Sequence, residues 1–328
     1  MRRADTALPT GTAAERIAAD VRAWVGSAPL RELVGHFGGD WPPGDLAAVL
    51  AGLDDFSARH WDFRQGRERP DAREPAFDAR TAGRVLDAAA ALGLVHPAAP
   101  ARPGYAHLTV LGGLAHACLR RVAYAAHLVR TGPAVTGEVA VLGSFRPLSE
   151  VERAVLTGVG IDGDTEVDAL DAAVRRSFGV DAPAERDGHD AGHPHHSWSS
   201  RTYRPPGLPP VRVLAAPSSE PQRRRAHTAD TQRFWAEHVR LSPGDRVLMV
   251  TAAIYVPFQH GDALRTLALP YGCDIETVGV DPGLVELAGV PEPTLTPGRY
   301  LQEIRSAIRS LRALHAALHP ARPGLPLR

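Results

Sequence analysis

Lysine and asparagine are absent from this 328-residue chain, so all 37 of its basic side chains are arginine. Without a lysine amine there is no Walker A phosphate loop, no Ser-x-x-Lys nucleophile and no Schiff base to pyridoxal phosphate. Without asparagine there is no Cys-His-Asn triad. Cysteine is nearly missing too: Cys118 and Cys273 lie far apart with no Cys-x-x-Cys spacing, which signals neither a disulfide framework nor a zinc site. Both are expected as packed thiols. No apolar stretch approaches the roughly 18 residues of a membrane helix, and the basic start MRRADTALPTGTAAERIAAD has no apolar run behind it, so a cytoplasmic protein without a membrane partner is expected. Formal net charge is zero, which removes the electrostatic case for a nucleic-acid partner.

What is present suits a folded enzyme-sized protein, since 44% hydrophobic and 23% charged residues suffice to bury a core. Residues 1–104 read as helices and a linker. AAERIAADVRAWV sets Ile17, Val21 and Trp24 on one face; GDLAAVLAGLDDFSARHW and ARTAGRVLDAAAALGLV repeat the spacing, and HPAAPARPG closes the region. From 105 to 297 short β-rich runs alternate with helices. Strands are expected at 108–111, 139–142, 211–215, 246–251 and 274–280, with helices at 114–130 and about 166–178, 229–239 and 259–268. Unbroken apolar strands separated by helices define the fold class: α/β, a Rossmann-like parallel sheet with helices on both faces. Residues 181–210, rich in Pro, Gly and His, are expected as a long exposed loop whose His189, His193, His195 and His196 are solvated, not metal ligands. Residues 298–328 form an amphipathic helix that packs back through Leu301, Ile304, Ile308, Leu311 and Leu314.

Ligands of open parallel sheets bind beyond the carboxyl ends of the strands. The first expected strand is followed by Gly112 and Gly113, the second by Gly143 and Ser144 with Arg146 behind, and the third by Ser218, Ser219, Glu220 and RRRAHTADT. The fourth is followed by Thr251, Tyr255, Gln259 and His260. Glycine turns that open helices offer backbone N–H donors to a carboxylate or phosphate, with Arg146 and one of Arg223 to Arg225 as counter-charges. Equally, the Gly-Gly turn serves close helix–strand packing. Thr228 and Asp230 read either as a helix cap with its first-turn acid or as part of a site. His260 is a proton carrier if Glu220 or Asp230 orients it, and otherwise structural. HWDFRQGRER (60–69) is read as an aromatic anchor with wet arginines or as a lid over an anion.

VLGGLAHACLRRVAYAAHLV, TEVDALDAAVRRSFGV, HTADT and RVLMVTAAIYVPFQHGDALRTL together resemble the YdcF/SanA-like family over about residues 105–281. Gly112 and Gly113 match its Leu-Gly-Gly strand end, Glu166 its acidic helix, Thr228 and Asp230 its Asn-Thr-x-Glu-Asn segment, and Thr251 its last motif. His227 and Thr231 stand where asparagines are expected, Tyr255 where a histidine is expected, and Phe258 where an arginine is expected. The resemblance implies a Rossmann-like scaffold, an S-adenosylmethionine cofactor as one option, and a link to envelope precursors.

The functional expectation is an enzyme acting on a polar or anionic small molecule, nucleotide-like, activated-sugar or S-adenosylmethionine-like, by hydrolysis or group transfer. Asp230, Glu220 and His260 are the catalytic candidates. Gly112, Gly113, Gly143, Ser144, Arg146, Glu166, Ser218, Ser219, Thr228, Thr251, Tyr255 and Gln259 are the ligand-binding ones. A nicotinamide enzyme is disfavoured, because no Gly-x-Gly-x-x-Gly follows the first strand. The alternative is a non-catalytic metabolite-binding regulator whose output is the N-terminal helices.

Overall fold

The computed structural model describes residues 6–11, 13–65, 74–290 (backbone only for 285–287) and 294–319. Four helices come first: α1 (Ala14–Val25), α2 (Ala28–His36), α3 (Leu46–His60) and α4 (Ala79–Ala91). Asp45 and Asp78 cap α3 and α4 by accepting the N–H of Ala48 and Thr81. Helix α2, short and opened by Ser27 and Pro29, has too little periodicity to be read in advance. Arg67 and Arg69 of the proposed lid lie outside the described residues.

A two-residue parallel pair, β1 (Gly104–Tyr105) and β3 (Ala134–Val135), stands beside the main sheet. That sheet is built from β2 (His107–Leu111), β4 (Val139–Gly143), β5 (Glu185–His189), β6 (Trp198–Tyr203), β7 (Val211–Ala215), β8 (Arg246–Thr251) and β9 (Asp274–Gly279). Its order is β5-β6-β7-β4-β2-β8-β9, parallel from β7 to β9. The five expected strands are all present. The expected loop at 181–210 is not a loop: β5 and β6 form an antiparallel hairpin that extends the sheet beyond β7. Every β5 side chain is exposed and β6 reads Trp-Ser-Ser-Arg-Thr-Tyr, so no apolar alternation announced the pair.

Strand side chains alternate between two cores. Val139 and Val141 face α5 (Ala115–Thr131), α6 (Glu150–Thr157) and α7 (Glu166–Phe178), while Ala140 and Leu142 face the opposite layer. That layer holds α8 (Thr228–Val239) and α9 (Val256–Ala263), which runs through a π-helical turn at 264–268 into α10 (Leu269–Tyr271). Beyond it lies α11 (Pro297–Leu318), packed on α9 and carrying α1, α3 and α4 on its other side. Leu301, Ile304, Ile308, Leu311 and Leu314 are all buried, in one cluster with Trp24, Leu50 and Trp61. No helix among the described residues is long and apolar enough to cross a membrane.

Candidate functional site

In chain order the parallel strands start at the centre with β2, step outward through β4 and β7, then return to the other side of β2 with β8 and β9. The reversal between β2 and β8 is a topological switch point, where neighbouring loops diverge and leave a crevice. Gly113, Ser144, Ser219 and Thr251 follow four adjacent parallel strands, so they lie along one rim, roughly 15 Å long at ~4.8 Å per strand.

At the β2 end Gly112 makes room for a carboxyl group of the protein itself, and at the β4 end Gly143 makes room for Leu170. Thr165 caps α7 in a capping box with Asp168 and so places Glu166 at the first turn. Glu166 Oε2 accepts from the Ser144 N–H (3.0 Å) and hydroxyl (2.8 Å). A Cβ on Gly112 would stand 2.7 Å from Glu166 Oε1, and one on Gly143 would stand 2.5 Å from Leu170 Cδ1. Burial raises the Glu166 pKa, against the opposing pull of Arg146 and the Ser144 bonds.

The start of α5 is engaged as well. Glu152, the last member of the Ser149 capping box on α6, accepts from the N–H of Ala115 (3.1 Å) and pairs with Arg146 through both oxygens, at 2.9 and 2.7 Å. Arg146 also donates to the Gly113 carbonyl (2.8 Å). Burial works against the charge on Glu152, but the bonds from Arg146 and Ser149 outweigh it and hold the carboxyl at about 2. Arg146, expected as a counter-charge for a ligand, thus serves an internal carboxylate.

The β7 end gathers Ser218, Ser219, Glu220, Arg224 and Asp230. Asp230 is buried and ionised: burial opposes its charge, but Arg224 (2.5 Å), the Ser219 N–H and His227 lower it to about 2. Arg224 also binds Glu220 (3.2 Å) and the Ser219 hydroxyl (2.9 Å). His227, not Thr228, is the N-cap of α8, in a capping box with Asp230. Thr228 is the first helical residue, and its carbonyl accepts from Thr231. The loop between β5 and β6 arrives at this same end: Ser218 N–H donates to the His195 carbonyl, and His193 packs edge-on against His195 and His196. No group of three or more metal-binding side chains occurs among the described residues.

At the β8 end Thr251 donates to Gln259, and both are buried. His260 is sealed away from the rim. Its Nε2 meets the Pro9 carbonyl (2.6 Å), an acceptor only, so Nε2 carries the proton and Nδ1 accepts from Thr277 (2.9 Å). Burial lowers its pKa. The imagined contact of His260 with Glu220 or Asp230 does not form, since those two lie beyond β7 and His260 packs over β9.

Tyr255 has the buried Arg121 guanidinium 5.6 Å from its ring centre. Arg121, from α5, donates to the carbonyls of Leu111 (2.8 Å) and Gly112 (2.5 Å), and lies 3.3 Å from the place a Gly113 Cβ would take. Beyond Tyr255 is a small cleft lined by Phe63, Arg64, Glu74, Arg299, Gln302 and Glu303. Gln302 accepts from the N–H groups of Phe63 (3.0 Å) and Arg64 (3.2 Å), which ties the N-terminal region to the first turns of α11. His116, in the first turn of α5, is pushed down to about 4 by burial and then by Arg121 and Arg120, with Glu152 opposing and Arg299 adding to the effect. Sequence reasoning passed over Arg121, His116, Glu152, Arg299, Gln302 and Glu303. The Arg120-Arg121 pair inside an apolar helix and the Ser149-x-x-Glu152 box were visible signals; the α11 residues reach the crevice by tertiary packing alone.

Fold and rim together define a Rossmann-like α/β protein with a helical N-terminal region docked through its last helix. A family model described as the Rv3785 N-terminal domain matches residues 8–93. The uncharacterized protein Rv3785 of Mycobacterium tuberculosis H37Rv is 34% identical over 320 residues, covering 90% of this chain and 88% of that protein. The uncharacterized protein Mb3814 of Mycobacterium bovis aligns with the same identity and coverage. The chain belongs to the family of these mycobacterial proteins. No solved structure matches it.

Proposed function

We propose that the protein binds a polar, anionic small molecule in the crevice between β2 and β8 and acts on it by hydrolysis or group transfer. One observation carries this reading: Arg64 and Arg299, from two separate segments, line a small cleft beside Tyr255 together with Glu74 and Glu303, and the buried Arg121 guanidinium lies 5.6 Å from the Tyr255 ring centre. Guanidinium groups there meet an anion with paired donors, and a partly desolvated site strengthens the attraction. Glu74 and Glu303 are the acid–base groups that line the same cleft. Nucleotides, sugar phosphates and, from the YdcF/SanA-like resemblance, S-adenosylmethionine are the compounds to try. A cytoplasmic location belongs to the same proposal, and cell fractionation checks it.

A second reading, a non-catalytic metabolite-binding regulator, draws support from the separation of His260 from Asp230 and Glu220, which both pair with Arg224. The two share a binding step and part at turnover. A ligand at 100 times its Kd stabilises the fold by about 2.7 kcal/mol, so a melting-temperature screen with these compounds and inorganic phosphate is expected to find a shift. In Arg299→Gln, whose side chain is about one-third exposed, the shift is expected to shrink while the ligand-free melting temperature holds. Product formation then marks the enzyme, and binding without turnover marks the regulator. A panel of anions that all leave the melting temperature unmoved defeats both.

A further inference from the structure

We propose that the protein has a second small-molecule site, a cleft at the β9 edge of the sheet that takes an organic cation: an ammonium group carried on a compact, ring-sized apolar body. This cleft shares no lining residue with the one beside Tyr255, and it stands independently of the anion-binding reading. Tyr124, at its floor, lies nine residues into α5 from Ala115, about 14 Å along the helix at ~1.5 Å per residue.

The cleft measures about 510 Å³, inside the range of roughly 300–1,000 Å³ usual for small-ligand sites. Three segments build it. The linker before β1 brings Pro100 and Pro103, the second half of α5 brings Tyr124 and Leu128, and the turn after β9 brings Asp281 and Leu284. The linker is tied to β9, since the Ala101 N–H and the Tyr105 hydroxyl donate to Glu276 and Arg102 pairs with Asp274. Proline and leucine carbons make the walls, which suits an apolar body. The polar groups set the charge. Tyr124 is only 6% exposed, and its hydroxyl has no hydrogen-bond partner among the described residues. Burial, and then Asp281, raise its pKa, so it keeps its proton and offers a donor to whatever enters. Of the charged and titratable groups around the cleft, Arg102 is taken by Asp274, and His127 Nε2 meets the Thr131 hydroxyl at 3.2 Å. Asp281 differs: its carboxyl accepts the Gly283 N–H (2.8 Å) and pairs with no cation among the described residues. A ligand ammonium completes that pair, whereas a ligand carboxylate meets its own charge and is repelled.

Tyramine and phloretate test this, because they share a phenol ring and a two-carbon arm and differ in ending on an ammonium or a carboxylate. Ligand-observed NMR titration of the full chain at about pH 8, where an amine is protonated and a carboxyl ionised, is expected to show tyramine binding about tenfold tighter or more than phloretate and than methylamine, which has the charge without the body. In Asp281→Asn, at an exposed position, the tyramine and phloretate affinities are expected to converge. Tyr124→Phe costs the fold no protein hydrogen bond and is expected to weaken both alike. Ala99→Trp, on the exposed rim, is expected to close the cleft to both. Equal or inverted wild-type affinities for tyramine and phloretate overturn the proposal whether or not the variants fold, and so does a tyramine that fails to bind. Methylamine as tight as tyramine overturns it by removing the apolar body. Tyramine binding that neither Asp281→Asn nor Ala99→Trp weakens lies elsewhere on the protein, and the proposal falls.

Discussion

His116 is held to about 4, well below the ordinary 6.5 of an imidazole, by burial and then by Arg121 and Arg120. The unfolded chain therefore takes up a proton near pH 6.5 that the folded chain refuses until about pH 4, so stability is lost as pH falls across that interval. Glu152 and Asp230 act lower, because their folded values of about 2 lie below the ordinary 4.5 and 3.8. Their contribution is complete above those ordinary values and disappears as pH drops toward about 2. Urea titrations at stepped pH should thus show a first decline between about 6.5 and 4, which His116→Gln reduces while His107 and His260, also lowered by burial, keep the remainder, and a second one below it that His116→Gln leaves alone. At this scale the sequence was a fair guide to position and a poor one to role. Gly112, Glu166, Ser144 and Asp230 are at the rim as expected, but spacing along a chain does not reveal that Glu166 fills the hollow left by Gly112, or that Asp230 spends its charge on Arg224 and its own helix start. His260 misled because a histidine just past a strand end looks the same in sequence whether it faces solvent or a buried carbonyl.

Among the elements, the start of α5 shows how a helix dipole is satisfied from within. A carboxylate belongs there on electrostatic grounds, and Glu152 supplies it while also closing the cap of its own helix and neutralising Arg146. Glu152→Gln strips the charge but keeps the shape, leaving Arg146 buried without its partner; a loss of about 3 kcal/mol is the scale for breaking a buried pair. Arg146→Met in the same background should recover a large part of that loss, since the uncompensated cation is then gone. A double-mutant cycle from denaturant midpoints measures the coupling; a Glu152→Gln penalty that Arg146→Met does not reduce would mean that the helix start, not the ion pair, is what Glu152 serves. Elements were legible where burial imposes a period, as in α5, β4 and β8. The β5–β6 hairpin was not, because an exposed edge strand carries Glu, Arg, Asp, Gly and His without any apolar rhythm, and such polarity discourages edge-to-edge pairing.

For the molecule as a whole, α11 is the piece on which assembly turns. Its amphipathic pattern says that one face must be covered, and no sequence pattern says by what. The fold covers it twice: α9 and its extension lie on one side, and α1, α3 and α4 on the other. Charge reinforces the second contact, for Asp54 on α3 faces Arg305, Arg309 and Arg312 of α11, and Arg305 also reaches Asp62. The hydrophobic cluster that begins in the N-terminal helices therefore runs unbroken through α11 into one face of the sheet, and His260 adds a buried tie to Pro9. Cooperativity follows, because neither the helical region nor that face keeps a dry surface without α11. Removing residues 297–328 should therefore expose the N-terminal helices to protease along with the truncated end, whereas the full chain should unfold in one transition seen alike by tryptophan fluorescence and far-ultraviolet circular dichroism. The tryptophans make the comparison direct: Trp24 and Trp61 report the helical region, and Trp235 reports the sheet side. Midpoints that separate between the tryptophan signal and the secondary-structure signal would mean that the helical region folds by itself, and the single-core account would fail.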